Sequence, residues 1–402
     1  MLQRRRRESR DPCSVCVCIV DPGTTALRVL VAEVRDGRAQ VWGWSEVPAE
    51  SAARPDRLAA ACEEALVQAE RMAQERAGHW LMADQMIVGL PSAVLRGRAW
   101  PVTQQRSRPE RPVEESELAG LLARALRLAG HHLADGPDWR LVDSAIVAMS
   151  MDGHGVSDPV GFKGREMSAS VFAALAPADQ IDAWCVAARQ LELSTLTLTA
   201  APLVLAAGTT APHSVLIDVG GETTDLALCR AGCPLALESL PAGGTELTRA
   251  LVQKWGLAPG RAEQVKKLYT GGGLPADAGT QIREVIMPAL RDWLAAIENA
   301  LIRLSPDEPL PQRLVLLGGG SALPEIGEAM RTLAWSDRLQ FARYPEVGRL
   351  LPADIPDVVN GTDRGRAAGD VTALALAAWA GRQTHAPARP ARVLAGLCRA
   401  AA

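Results

Sequence analysis

Three short stretches carry residues whose types and spacing suit the handling of a polyphosphate. In Ser214–Arg230, SVLIDVGGETTDLALCR, a strand closes on Asp218, and Gly220 and Gly221 follow with Thr223, Thr224 and Asp225 behind them. Adjacent glycines let the backbone approach a ligand and turn N–H groups toward a phosphate. Threonine hydroxyls add donors, and a carboxylate such as Asp218 can hold Mg²⁺ through water. Val17–Val31, VCIVDPGTTALRVLV, has the same grammar, with Asp21, Gly23, Thr24, Thr25 and, on the return, Arg28. Arg313–Ile326, RLVLLGGGSALPEI, sets Gly318, Gly319, Gly320 and Ser321 between a strand and a helix start, with Pro324 in its first turn. A lone strand–Gly-Gly–strand motif is a common hairpin. The joint occurrence, in this order, is far more specific than any one motif.

These turns need strands to end on and helices to back them. Further strands are predicted at Gln40–Val47, Gln85–Leu90, Arg140–Met151, Glu166–Leu175 and Ser194–Thr199. Apolar residues recur at helical spacing over Asp56–Arg76, with Leu58, Cys62, Ala65, Leu66, Ala69 and Met72 on one stripe. Glu114–Ala129, Pro177–Leu191, Ala201–Ala207, Pro259–Leu268 and Arg364–Gly381 also read as helices, as does the segment after Gly243 and Gly244. Thr280–Leu304 reads as a long helix that Pro288 should kink. Pro91–Arg111 is rich in Arg and Pro, and Gln104–Pro112 reads as an exposed segment.

Composition narrows the class. A chain of 402 residues, 48% hydrophobic, predicts two to three domains with large cores. A net charge of −3 gives no nucleic-acid signature. No apolar run is long enough to span a bilayer. The basic start, Arg4 to Arg7, lacks a following apolar segment of signal-peptide type and reads as a disordered tail. Of the eight cysteines, Cys13 and Cys16 are spaced C-x₂-C, but no second ligand pair at zinc spacing accompanies them. Reduced thiols of a cytosolic protein are the expectation. There is no G-x₄-G-K-[ST] phosphate loop, and the glycines at 318–320 lack dinucleotide-binding spacing.

The ordered motifs resemble the actin-like ATPase fold, an α/β architecture of two lobes with RNase H-like cores around a nucleotide cleft. More narrowly, from about Cys16 to Gly381 the chain resembles the bacterial cell-division FtsA family. Leu30–Arg38, LVAEVRDGR, looks like that family's stretch after the first phosphate loop. Met151-Asp152-Gly153 followed by Asp158-Pro159-Val160-Gly161-Phe162-Lys163-Gly164 is similar to its inserted subdomain. Ala262-Glu263-Gln264-Val265-Lys266 looks like its Ala-Glu-x-x-Lys segment, which implies Glu263 and Lys266 near a ribose.

The resemblance implies ATP and Mg²⁺ as ligands, with Asp21 and Asp218 holding the metal through water. It places the two hairpins and Gly243–Gly244 at the nucleotide and Gly318–Ser321 against the adenosine. It implies a tail at 1–14, a first lobe at 15–90 and 176–208, an inserted subdomain at 91–175, and a second lobe at 209–235 and 305–360. A small subdomain at 236–304, a closing helix at 361–383, and a linker with a short helix at 384–402 complete it. The implied partners are the C-terminal peptide of a tubulin-like division protein, further copies of the chain in protofilaments, and the inner face of the cytoplasmic membrane through 391–402. There Val393, Leu394, Leu397 and Cys398 share one helical side with Arg392 and Arg399 as the basic residues, a short version of a membrane-targeting helix.

Three departures bear on activity. The third glycine of the second loop is Glu222, whose carboxylate would repel a triphosphate and is expected to point outward. The family's lysine two residues before Arg28 is Ala26, so Arg28 is left to supply positive charge. The residue before Pro202, where actin-like ATPases place a water-orienting Glu or Gln, is Ala201. A methyl group cannot align water or accept its proton, so nucleotide binding with slow or absent hydrolysis is expected. The rival readings are an actin-fold kinase or true ATPase, and a pilus-assembly adaptor of the same fold.

Overall fold

The computed structural model describes residues 14–52, 55–134, 136, 138–332 and 338–401. The basic start and Cys13 lie outside the described residues. Strands β1 (Val15–Pro22), β2 (Ala26–Arg35) and β3 (Arg38–Pro48) form an antiparallel meander, followed by helix α1 (Pro55–Ala77) and strand β4 (Gln85–Leu90). Next come β5 (Arg96–Gln105), α2 (Glu115–Leu133), β6 (Trp139–Met151), the two-residue β7 (His154–Gly155) and β8 (Glu166–Pro177). The chain then makes α3 (Ala178–Gln190), β9 (Thr195–Ala200) and α4 (Ala201–Gly208). A second meander follows: β10 (Ser214–Val219), β11 (Thr224–Arg230) and β12 (Cys233–Leu240). Helices α5 (Gly244–Trp255), α6 (Pro259–Thr270) and α7 (Ala276–Leu304) lead to β13 (Arg313–Leu317), α8 (Pro324–Thr332) and β14 (Glu346–Arg349). The short β15 (Val358–Asn360), α9 (Val371–Arg382) and α10 (Arg389–Ala401) complete the chain.

Two sheets share one internal order. The first runs β15-β3-β2-β1-β4-β9 and the second β14-β13-β10-β11-β12-β5-β8-β6-β7. In each, an antiparallel meander is extended by two parallel strands beside its first strand. The Asp-Gly hairpins are therefore the same corner of two similar lobes. Both faces of these strands are covered, so they read as nearly continuous apolar runs. In β1, Cys16, Cys18 and Val20 join the core beneath α1 and α3, while Val17 and Ile19 face the core between the sheets. In β10, Val215, Ile217 and Val219 pack under α5 to α8, and Leu216 faces the same central core. α9 fills that centre and is buried almost all round, which its Ala- and Leu-rich composition allows.

Several expectations from the sequence change here. The Arg- and Pro-rich stretch after residue 91 contains the ten-residue strand β5, which meets β12 at the single pair Arg98 and Ala236. The expected closing helix at Arg364–Gly381 begins only at Val371, because Gly365 sits at φ 71°, a conformation a helix cannot continue through. Residues 364–367 are instead a loop, and Ala368–Asp370 make a short 3-10 turn that leads into the helix. α7 begins at Ala276 and contains Pro288. The terminal helix α10 lies with Leu394 buried against α2 and β6, in one cluster with Leu118, Leu121 and Leu122. Val393, Leu397 and Cys398 pack beside it, so the apolar side read as lipid-facing is covered by α2 and β6.

Candidate functional site

The ends of β1, β10 and β13 and the starts of α4 and α5 converge on one cleft of ≈ 810 Å³. Asp21, Gly23, Thr24, Thr25, Arg28, Asp218, Gly220, Gly221 and Thr223 line it. So do Gly244, Glu263, Lys266, Gly318, Gly319 and Gly320. A space of this size suits a nucleotide.

The two Gly-Thr turns touch. The Glu222 backbone N–H donates to the Thr24 hydroxyl at 3.1 Å. A Cβ on Gly221 would fall 2.1 Å from Thr25 Cγ2, so only glycine allows this approach. Within the first turn Gly23 N–H donates to Asp21 O at 3.1 Å, and within the second Gly220 N–H donates to Thr223 O at 2.9 Å. The third glycine turn rests on the second: Gly318, at φ 80°, would place a Cβ 2.1 Å from Asp218 Oδ1.

Three of the residues expected to bind nucleotide are not among those lining the cleft. Thr224 is buried, donates to Ala242 O at 2.6 Å and accepts Trp293 Nε1–H at 2.9 Å. Gly243 caps α5 where a side chain would strike the carbonyls of Gly220 and Gly221. Ser321 is buried and donates to Gly318 O at 2.7 Å. All three shape the turns rather than face the space between them. Glu222 is exposed and outside the lining, as its charge requires.

Charge is distributed unlike the simple expectation. Arg28 lies 3.1 Å from Asp370, 3.6 Å from Asp21 and 3.8 Å from Glu46, so its charge is spent on protein carboxylates. Burial, then repulsion from Asp370, pushes Asp21 up to about 6 against the pull of Arg28. Burial and the neighbouring Asp225 and Asp21 push Asp218 up to about 7. Asp225 is raised by burial although Ser239 donates to it at 2.6 Å. On the other wall Lys266 Nζ donates to Gly244 O, Thr248 Oγ1 and Glu263 Oε2, each at 2.8 Å. Burial opposes ionisation of Glu263, but its bonds from Lys266 and Thr248 prevail and hold it below its ordinary value. Lys266 therefore shapes the wall beside α5.

Sequence reading missed the segment 364–370, a loop followed by the 3-10 turn Ala368–Asp370. Asp370 anchors Arg28 and accepts Ala367 N–H at 2.9 Å. Arg364 and Arg366 are exposed, line the cleft and have no carboxylate partner among the described residues. The signal was an Arg-Gly-Arg run just ahead of an apolar helix. Ala201 sits at the cleft beside Pro202 and is 4% exposed, with no acid or amide side chain at that position.

Among the described residues no cluster of three or more His, Cys, Asp or Glu side chains is placed to hold a metal. The donor set instead suits Mg²⁺ held through water by Asp21 and Asp218 together with ligand phosphates. The crowded carboxylates fit that cation, since a divalent charge would offset the burial, and after it the mutual repulsion, that raise both.

This is the actin-like ATPase fold. No family model and no curated protein matches the chain. Among solved structures it is similar to a chain of the PilM-PilN type IV pilus biogenesis complex, at 20% identity and a TM-score of 0.62, over 91% of this chain and 98% of that one. It is also similar to the ethanolamine utilization protein EutJ from Carboxydothermus hydrogenoformans, at 15% identity and a TM-score of 0.51, over 92% of each chain.

Proposed function

We propose that the protein is an ATP-binding, Mg²⁺-dependent actin-like scaffold of the bacterial cell-division machinery, with slow or absent hydrolysis. The observation that carries nucleotide binding is the contact between the two Gly-Thr turns, with Glu222 N–H on Thr24 Oγ1 at 3.1 Å. Joined in this way, the turns make one cradle of backbone N–H groups and hydroxyls for a polyphosphate. Asp21 and Asp218 hold Mg²⁺ through water, and the cation offsets phosphate charge. Gly244, Glu263, Lys266 and Gly318–Gly320 form the nucleoside side. Ala201 leaves the attacking water without an orienting group, so binding outlives turnover.

The division assignment rests on the insert signature. In it Asp152 Oδ1 accepts the N–H groups of Arg165 and Glu166, both at 2.8 Å, which ties the Asp-Gly turn to the end of the following loop. On this reading residues 91–175 are the inserted subdomain, and 236–304 hold the C-terminal peptide of a tubulin-like partner. Copies of the chain associate in protofilaments at the inner face of the membrane. Contact with lipid through 391–402 requires α10 to leave the insert, because the same side chains serve both. Among the described residues no helix is long and apolar enough to cross a membrane.

A second reading, a pilus-assembly adaptor holding a partner's short N-terminal peptide, is favoured by the similarity to the PilM-PilN complex. Calorimetry and phosphate release with Mg-ATP test the nucleotide reading: tight binding with negligible release is expected, absence of binding overturns it, and rapid release overturns slow hydrolysis in favour of an active ATPase or kinase. Fluorescence anisotropy with a tubulin-like C-terminal peptide and with a pilus-type N-terminal peptide separates the two partners. Binding of the pilus-type peptide alone overturns the division assignment.

A further inference from the structure

Besides Pro91 and Ser92, which line the cleft directly, the segment 91–175 reaches the edge of the cleft through a half-buried carboxylate, that of Asp143. Strand β6 shifts register between Leu141 and Asp143, and again between Ile146 and Ala148. Such irregularities re-aim a side chain out of the ladder. The Asp143 carboxylate leaves β6 for the first lobe, where Thr199 Oγ1 donates to it at 2.5 Å and Ala200 N–H at 3.1 Å. Ser144 N–H donates to its other oxygen at 2.8 Å. Asparagine could not replace it, since its amide would turn a donor toward one of these donors.

What Asp143 holds is the corner between β9 and α4. Ala200 is fully buried and is the residue from which α4 starts. The next two residues, Ala201 and Pro202, line the cleft. Moving this corner alone would strip donors from a half-buried carboxylate, an unfavourable loss. β6 and the cleft corner therefore move together.

The residue after Asp143 meets the terminal helix. The Ser144 hydroxyl and the Cys398 thiol of α10 lie 3.0 Å apart. α10 is otherwise held by Leu394 and its apolar neighbours and by Arg389, 3.6 Å from Asp158. The connection from α9, residues 383–388, is exposed throughout. α10 can therefore leave without unfolding another element, which opens to it a free arrangement beside the docked one.

We propose that Asp143 is a positioning residue of the cleft, and that through Asp143 and Ser144 the docking of α10 on the insert is coupled to occupancy of the cleft. The proposal rests on the nucleotide-binding reading. It makes the terminal helix a reporter of the bound state: a cleft that closes on its ligand shifts the β9–α4 corner, β6 follows, and the seat of α10 changes. By linkage, releasing α10 must change nucleotide affinity by the same factor.

Cys398 gives the measurement. In full-length protein carrying Cys13→Ser and Cys185→Ser, the five other cysteines are buried and Cys398 is the thiol a disulfide reagent reaches. Its labelling rate is followed with and without saturating Mg-ATP, and Mg-ATP binding is measured by calorimetry on the same protein. A rate change on the order of tenfold is expected. Leu394→Glu, which frees the helix, should abolish protection and change the Mg-ATP Kd by a matching factor. Asp143→Asn should still bind Mg-ATP but label at one rate in both states, an outcome a merely structural role would not produce. If Asp143→Asn does not fold, Thr199→Val cuts the same link more gently and should remove most of the nucleotide effect. Mg-ATP binding with an unchanged Cys398 rate overturns the coupling and leaves the nucleotide reading intact. A full nucleotide effect in both link variants removes Asp143 from the role. Failure of Mg-ATP to bind overturns both proposals.

Discussion

Replacing Asp218 with asparagine should stabilise the ligand-free protein while weakening its hold on Mg-ATP. Asp218 lies between Asp21 and Asp225 at the cleft floor, and its carboxyl is pushed from the ordinary 3.8 up to about 7 by burial and then by those neighbours. The sign follows from proton binding. Between those two values the folded protein keeps a proton that the unfolded chain has released, so stability falls as pH rises through the window and levels off above it. The full cost of ionising this group in the fold is about 4 kcal/mol at about pH 8 and about 1.5 kcal/mol at about pH 5. Solvent entering through the cleft screens the charge and cuts each figure roughly in half. Asparagine keeps an acceptor for the Thr372 hydroxyl that bonds Asp218, so little else is lost. Urea denaturation followed by circular dichroism should therefore show D218N gaining roughly 2 kcal/mol at about pH 8 and less than half of that at about pH 5. Calorimetry should show Mg-ATP binding weakened by about tenfold or more, since a charged partner of the hydrated cation is gone. Equal stability gains at both pH values, or a destabilised variant with unchanged Mg-ATP affinity, would refute the reasoning.

Four further outcomes are expected. Arg28→Met leaves Asp21 and Asp370 without their cation and should cost about 3 kcal/mol at about pH 8. The loss should shrink toward pH 5 as Asp21, pushed up to about 6, takes a proton, which paired denaturation curves would reveal. Gly221→Ala drives a methyl into Thr25 and should part the two turns, lowering ATP affinity at least about tenfold by calorimetry with a stability loss of about 1–3 kcal/mol. Ala201→Gln restores an amide at the water position and should raise phosphate release by about a hundredfold, while ATP affinity stays within about threefold. Arg364→Gln with Arg366→Gln should weaken ATP binding about tenfold at low salt and flatten its salt dependence, as expected if these rim arginines supply the charge that Arg28 does not.

Much of the site is legible in the sequence because it is built from turns. Asp21-Pro22-Gly23-Thr24-Thr25 and Asp218 to Thr224 are local devices, and the need for glycine at 221 and 318 is a backbone requirement that residue identity records. The strands around them are buried on both faces, so their apolar runs stand out in the sequence. Roles within the motifs are less legible. Thr224 and Ser321 carry the same hydroxyl as Thr24, yet their bonds to Ala242 O and Gly318 O turn them inward. Arg28 reads as a phosphate ligand until Asp370, more than 300 residues away, is found 3.1 Å from it.

The order of motifs, the alternation of faces and the presence of an alanine before Pro202 are properties of consecutive residues, and the sequence alone determines them. Tertiary structure decided which charges face the cleft, that Arg364 and Arg366 stand at its rim, and that Asp143 of β6 bonds the corner before Ala201. It also decided that α10 packs its apolar side on α2 and β6, a side that in the sequence reads as a short membrane-targeting face. The physical reason is range. Backbone turns and strand burial follow from neighbours along the chain, whereas the state of a carboxylate, a guanidinium or an amphipathic helix depends on what segments hundreds of residues away bring to it.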